Sequence, residues 1–177
     1  MLNRACVVVS FVLLTGVGSA WGRSPQGLPA VVRAKVAEMD KTCRQVGAKP
    51  EPSPHLVIVA DLTGDGVPDF VIDEGAYQCR GAASLFSGSA GSQMSVYVGT
   101  RDGQAFKAFS SGDFGVKIDR SANPARLYVG VGGRLCGQQV TPDMSLADYT
   151  TCWRPLVWDA KHRNMAFAPI SMIKPYH

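Results

Sequence analysis

Two hydrophobic periods divide the chain. Between residues 28 and 46, Leu28, Val32, Val36, Met39, Cys43 and Val46 return at steps of four or three, which puts them on one face of a helix. Pro29 suits a first helical position and Gly47 the cap beyond the last turn. Lys49-Pro50-Glu51-Pro52-Ser53-Pro54 follows. Its prolines lack an N–H and push their predecessors toward extended backbone, so an extended linker is predicted. Beyond it the period shortens to two. Short apolar runs at residues 55–60, 69–73, 93–99, 105–109, 114–118, 126–131, 153–158 and 164–169 read as strands, most of them separated by Gly, Asn, Asp and Ser turns. Met94, Val96 and Val98 alternate with Ser95 and Tyr97, and Arg101-Asp102-Gly103-Gln104 is a hairpin turn. Residues 80–92, rich in Gly, Ala and Ser, and residues 132–151 break the rhythm and read as loops. No internal repeat is present, which excludes a propeller of many blades. The predicted class is α+β: one N-terminal amphipathic helix packed on a twisted, mainly antiparallel sheet of about six to eight strands.

The first residues alter the picture. Met1-Leu2-Asn3-Arg4 leads into an apolar run from Ala5 to Leu14 and a small-residue stretch ending at Ala20. Those are the three parts of a secretory signal peptide, so residues 1–20 are expected to be removed after Ala20. The run is shorter than the roughly 20 apolar residues a membrane span requires. Residues 21–177 are then one domain, periplasmic or secreted, with no membrane span after cleavage. Loss of Arg4 lowers the formal charge from +4 to +3. Such a mild, scattered charge gives no footprint for nucleic acid.

Export also bears on the cysteines. Cys6 leaves with the signal, and Cys43, Cys79, Cys136 and Cys152 remain. Four cysteines in an exported chain imply two disulfides, with three possible connectivities. Cys43–Cys79 with Cys136–Cys152 is favoured, since each bridge links nearby segments without crossing the other. No Cys-x-x-Cys spacing points to zinc or thiol redox chemistry.

Catalytic constellations are weak. His55 starts a strand, His162 lies in the basic turn Lys161-His162-Arg163, and His177 ends the chain. Ser87-Gly88-Ser89-Ala90-Gly91 imitates a nucleophile elbow without the strand-to-helix turn that mechanism needs. Trp153 and Trp158, five apart, fall on opposite faces of a strand, so at least one is expected in the core. The chain is therefore expected not to be an enzyme.

The pointed feature is Asp61-Leu62-Thr63-Gly64-Asp65-Gly66-Val67-Pro68-Asp69. Calcium takes six to eight oxygen ligands, which a loop supplies by curling around the ion with oxygens at alternate positions. Asp61, Thr63, Asp65, the Val67 carbonyl and Asp69 have that spacing, and Gly64 and Gly66 permit the curl. The competing reading is a plain turn whose carboxylates face water, because Asp and Gly are ordinary turn residues. An EF-hand is excluded, as Ile72 stands where the bidentate Glu belongs and strands flank the loop.

The run resembles the strand–loop–strand calcium loops of the FG-GAP/VCBS repeat class, in which an Asp-rich loop precedes an apolar strand such as Phe70-Val71-Ile72. Thr63 replaces the usual Asn or Asp, which weakens the implied site. More widely, residues 60–73, Gly81-Ala82-Ala83-Ser84-Leu85-Phe86 and Leu135-Cys136-Gly137 resemble an uncharacterised family of exported proteobacterial proteins. Members carry cysteines where this chain has Ser87 and Ser92. The resemblance implies export and the fold, and no reaction. The expectation is a non-catalytic exported module with one weak structural calcium loop. The alternative is a periplasmic protein-binding or inhibitor module acting through loops 81–92 or 132–151.

Overall fold

The computed structural model describes residues 27–176; the expected signal peptide at residues 1–20 and His177 lie outside them. The predicted helix is α1, Ala30–Gln45, and Pro29 stands at its N-cap, one place earlier than predicted. The Pro29 carbonyl accepts the first helical bond from the Arg33 N–H at 3.0 Å. At the other end Gly47 takes φ +80°. This left-handed turn lets the Gly47 and Ala48 N–H groups bond back to the Arg44 and Cys43 carbonyls, the six-to-one closure that glycine favours at helix ends. Val32, Met39 and Cys43 are buried, and Leu28 and Val36 pack against the same cluster. Val46, at the cap, turns away from the predicted face and is 54% exposed.

The strands are β1 (Lys49–Pro50), β2 (Val57–Ala60), β3 (Asp69–Asp73), β4 (Cys79–Arg80), β5 (Ser87–Gly88), β6 (Gly91–Gly99), β7 (Ala105–Asp113), β8 (Val116–Asp119), β9 (Arg126–Gly132), β10 (Thr151–Asp159), β11 (Asn164–Phe167) and β12 (Lys174–Pro175). Every pairing among them is antiparallel. The class is α+β, with one helix on antiparallel strands. Those strands divide between two five-stranded sheets, where the sequence pattern suggests one. In the first sheet β2, β3, β6 and β7 lie side by side, with β5 against the start of β6. In the second the order is β8-β9-β10-β11, with β12 also on β10. The proline-rich linker contributes β1, which pairs with β4 as a separate two-stranded ribbon.

Side-chain alternation explains the layers. Along β6, Met94, Val96 and Val98 enter the core shared with Leu127, Val129, Val131 and Leu156 of the second sheet. Tyr97 points the other way, to the cluster beneath α1. β3 does the same, sending Val71 to one side and Phe70 and Ile72 to the other. The first sheet is therefore the middle layer, covered by the helix on one face and by the second sheet on the other. Each fully buried aliphatic side chain here contributes roughly 1.5–3 kcal/mol.

Both favoured disulfides are formed. Cys43–Cys79 fastens α1 to β4 with a Cα–Cα distance of 5.9 Å. Cys136–Cys152 fastens the start of the 132–151 loop to β10, at 5.8 Å. The two tryptophans part as expected: Trp158 packs against the core, while Trp153 stacks on Tyr176 at 4.7 Å. Tyr176 lies across Gly130, where a Cβ would come within 2.7 Å of its ring, and its hydroxyl donates to the Phe114 carbonyl.

Candidate functional site

The aspartate loop joins β2 to β3 and leaves the sheet where Ala60 pairs with Asp69. Its carboxylates are acceptors for the loop's own backbone. Asp61 Oδ1 receives the Gly64 N–H at 2.7 Å and Oδ2 the Gly66 N–H at 2.9 Å. Both glycines have positive φ, +81° and +78°, a backbone that other residues reach only with strain. Asp65 Oδ1 receives the Val67 N–H at 2.9 Å, a local Asx turn.

Asp69 differs in kind. It is fully buried, and its Oδ2 accepts the Leu62 and Thr63 N–H groups at 2.8 and 3.1 Å. Its Oδ1 accepts the Gly99 N–H at 3.0 Å, from the last residue of β6. One carboxylate thus ties both ends of the loop to the middle sheet. Gly99 is required there, because a Cβ would stand 2.1 Å from the Pro68 carbonyl oxygen. Burial pushes the Asp69 carboxyl above the usual range; the three N–H bonds oppose that shift and the neighbouring Asp61 charge adds to it. Thr63 Oγ1 is buried and has no hydrogen-bond partner among the described residues.

The donor set consists of carboxylates, one hydroxyl and one carbonyl, all hard oxygens of the type calcium takes. Among these oxygens Thr63 Oγ1 is the buried one left without a partner among the described residues. Among the described residues, however, no group of three or more His, Cys, Asp or Glu side chains is placed to hold a metal. An ion here would rest on mixed donors, and the loop is already shaped by its N–H bonds. Both features make for weak binding. Beside the loop runs an open groove of about 500 Å³, bordered by Gly66, Val67, Pro68, Gly99 and Arg101.

The remaining candidates lie apart from the loop. His55 is exposed, and His162 Nδ1 is 2.7 Å from Asp159 Oδ2 on the surface. Ser87 sits in β5, paired with Ser92 of β6, and Ser89 is an exposed residue of the turn between them. Tyr97 and Tyr128 are buried, and Tyr149 is half-buried.

Sequence reasoning missed a polar groove of about 590 Å³ between α1 and the middle sheet, lined in part by Lys35, Glu74, Tyr97 and Lys107. Lys35 Nζ bonds Glu74 Oε1 at 3.1 Å within it. The available signal was the polar Ser95 and Tyr97 face of β6, which has to lie against something.

The chain matches no protein-family model, no curated protein and no solved structure.

Proposed function

We propose that this chain is a non-catalytic exported module, periplasmic or secreted, whose aspartate loop binds one calcium ion weakly. The export reading draws on the signal-like N-terminus and on two formed disulfides, which persist in oxidising compartments. No helix among the described residues is long and apolar enough to cross a membrane. The calcium reading is carried by the buried, unpartnered Thr63 Oγ1 in a loop of three aspartates. The likeness to FG-GAP/VCBS loops points the same way.

A dissociation constant of about 0.1–1 mM suits such an extracellular site. At 1 mM calcium the tighter end of that range adds about 1.4 kcal/mol of stability, a rise in melting temperature of about 3–5 °C for a domain of this size. Melts in calcium and in EGTA test this. Coincident curves would remove the ion from the account.

One observation favours the protein-binding alternative, and it favours loop 132–151. Leu135 and Leu146 of that loop are 36% and 59% exposed, and nearby Ile170 and Met172 are 46% and 43% exposed. Ile170 reaches to 3.2 Å from the position a Cβ on Gly137 would take, so the start of the loop lies against the 170–172 turn. Loop 81–92 instead turns its large side chains, Leu85 and Phe86, toward the cluster beneath α1. Changing Leu135 and Leu146 together to Ser should strip specific partners from an envelope-extract pull-down and leave the melting temperature within about 2 °C of wild type. Unchanged partner profiles would exclude this loop as the docking surface.

A further inference from the structure

Asp113 ends β7 and is only 3% exposed. Its Oδ1 accepts the Ser92 hydroxyl at 3.0 Å and the Gly115 N–H at 2.7 Å. Its Oδ2 is buried and has no partner among the described residues. A buried carboxylate oxygen without a donor or cation is costly, and such a group commonly escapes the cost by taking a proton.

Among the described residues the charges that act on it are negative. A Cβ placed on Gly75 would stand 2.7 Å from Ser92 Oγ and 3.2 Å from Asp73 Oδ1, so both groups crowd the same point. Asp73 Oδ1 there accepts the Gly75 N–H at 3.0 Å. The charged groups facing Asp113 from the turn after β3 are therefore Asp73 and Glu74, both negative. Lys35 of α1 is bonded to Glu74. β6 carries no charged residue, and the Phe114-Gly115 turn none either. Among the described residues Asp113 thus meets like charge from Asp73 and Glu74 and neutral donors from Ser92 and Gly115.

We propose that Asp113 is a proton-binding site at the junction of β3, β6 and β7, taking up a proton in the folded protein at a pH where an ordinary aspartate is still ionised, so that acidification tightens this end of the middle sheet. Burial, first, and then the Asp73 and Glu74 charges push its carboxyl upward, against the Gly115 and Ser92 bonds; Asp73 is itself pushed upward by burial. A carboxyl raised in the folded state adds its stability in full below its unfolded pKa of about 3.9, and loses it as pH rises through the folded value.

The test follows the Asp113 side-chain carboxyl by carbon NMR through a pH titration of the wild-type chain, and compares melting of Asp113→Asn with wild type between pH 5 and pH 7. Asn keeps an acceptor for Ser92 and Gly115 and imitates the neutral acid. The expected midpoint lies above the ordinary aspartate range and falls in Asp73→Asn. Asp113→Asn should melt about 3 °C or more above wild type at pH 7, with a smaller gain on acidification. Asp69 is raised too, so the difference between variant and wild type is the quantity that counts. A midpoint at or below the ordinary range overturns the proposal, and so does an Asp113→Asn protein with the full wild-type pH dependence. If that variant does not fold, the wild-type titration decides.

Discussion

Asp69→Ala should melt about 10 °C below the wild type. The side chain is fully buried and accepts the N–H groups of Leu62, Thr63 and Gly99. Two opposed effects decide the outcome. Deleting the carboxylate relieves the desolvation that raises its pKa, which favours the variant. It also leaves three backbone donors without an acceptor, and a buried unpaired donor costs about 1–3 kcal/mol. The second effect wins, because the donors belong to the main chain and cannot be removed with the side chain. The net loss is about 3–5 kcal/mol, at roughly 2–4 °C per kcal/mol for this size. Asp69→Asn should fall between, since an amide offers one acceptor oxygen where two are used. Asp65→Ala should stay within about 3 °C, since that residue is exposed and accepts only the Val67 N–H. Calorimetric melts of the three variants check the order. An Asp69→Ala protein melting with the wild type would mean that the loop is not tied to β6 through this carboxylate.

The second large effect belongs to the Cys43–Cys79 bridge. It closes a sequence separation of 36, against 16 for Cys136–Cys152. In the chain-entropy account, stabilisation grows with the logarithm of loop length, giving about 4 kcal/mol for the longer loop and about 3 kcal/mol for the shorter. The longer bridge also carries a packing role. Cys43 is on the buried face of α1, and its partner Cys79 lies in the β1–β4 ribbon. Cys43→Ala with Cys79→Ala should therefore lower the melting temperature by about 10 °C. It should also loosen α1 first, read as faster amide exchange over Ala30–Gln45. The Cys136→Ala, Cys152→Ala pair should cost less and leave α1 protected. Equal losses with uniform exchange would show that the helix is held by its apolar face alone.

Particular residues show how far the chain could be read in advance. β3 lies at the predicted residues 69–73, because Phe70, Val71 and Ile72 are bounded by Asp on both sides. The alternation along β6 told which side chains face which layer. The division into two sheets was not legible. β7 and β8 are separated only by Phe114-Gly115, yet β7 pairs with β6 in the first sheet and β8 with β9 in the second, and partner choice leaves no mark on a strand's own pattern. The ribbon of β1 and β4 was hidden because Lys49-Pro50 finds its partner only when Cys79 is fastened beside α1.

The loop divides in the same way. Its glycine turns could be read from spacing, as could the aspartates that accept within a few residues. The use of Asp69 to hold Gly99 could not, since that contact spans 30 residues. The buried acid at Asp113 lay outside every motif, for the same reason.

On the proposed function, loop 61–69 is a preformed turn to which calcium adds a weak, local contact. A calcium titration followed by backbone amide NMR tests it most directly. Saturating shifts confined to the amides of residues 62–67 and Gly99, abolished in Asp65→Ala, are the predicted result. An unchanged spectrum at several millimolar calcium, or drift spread over the whole surface, would contradict it.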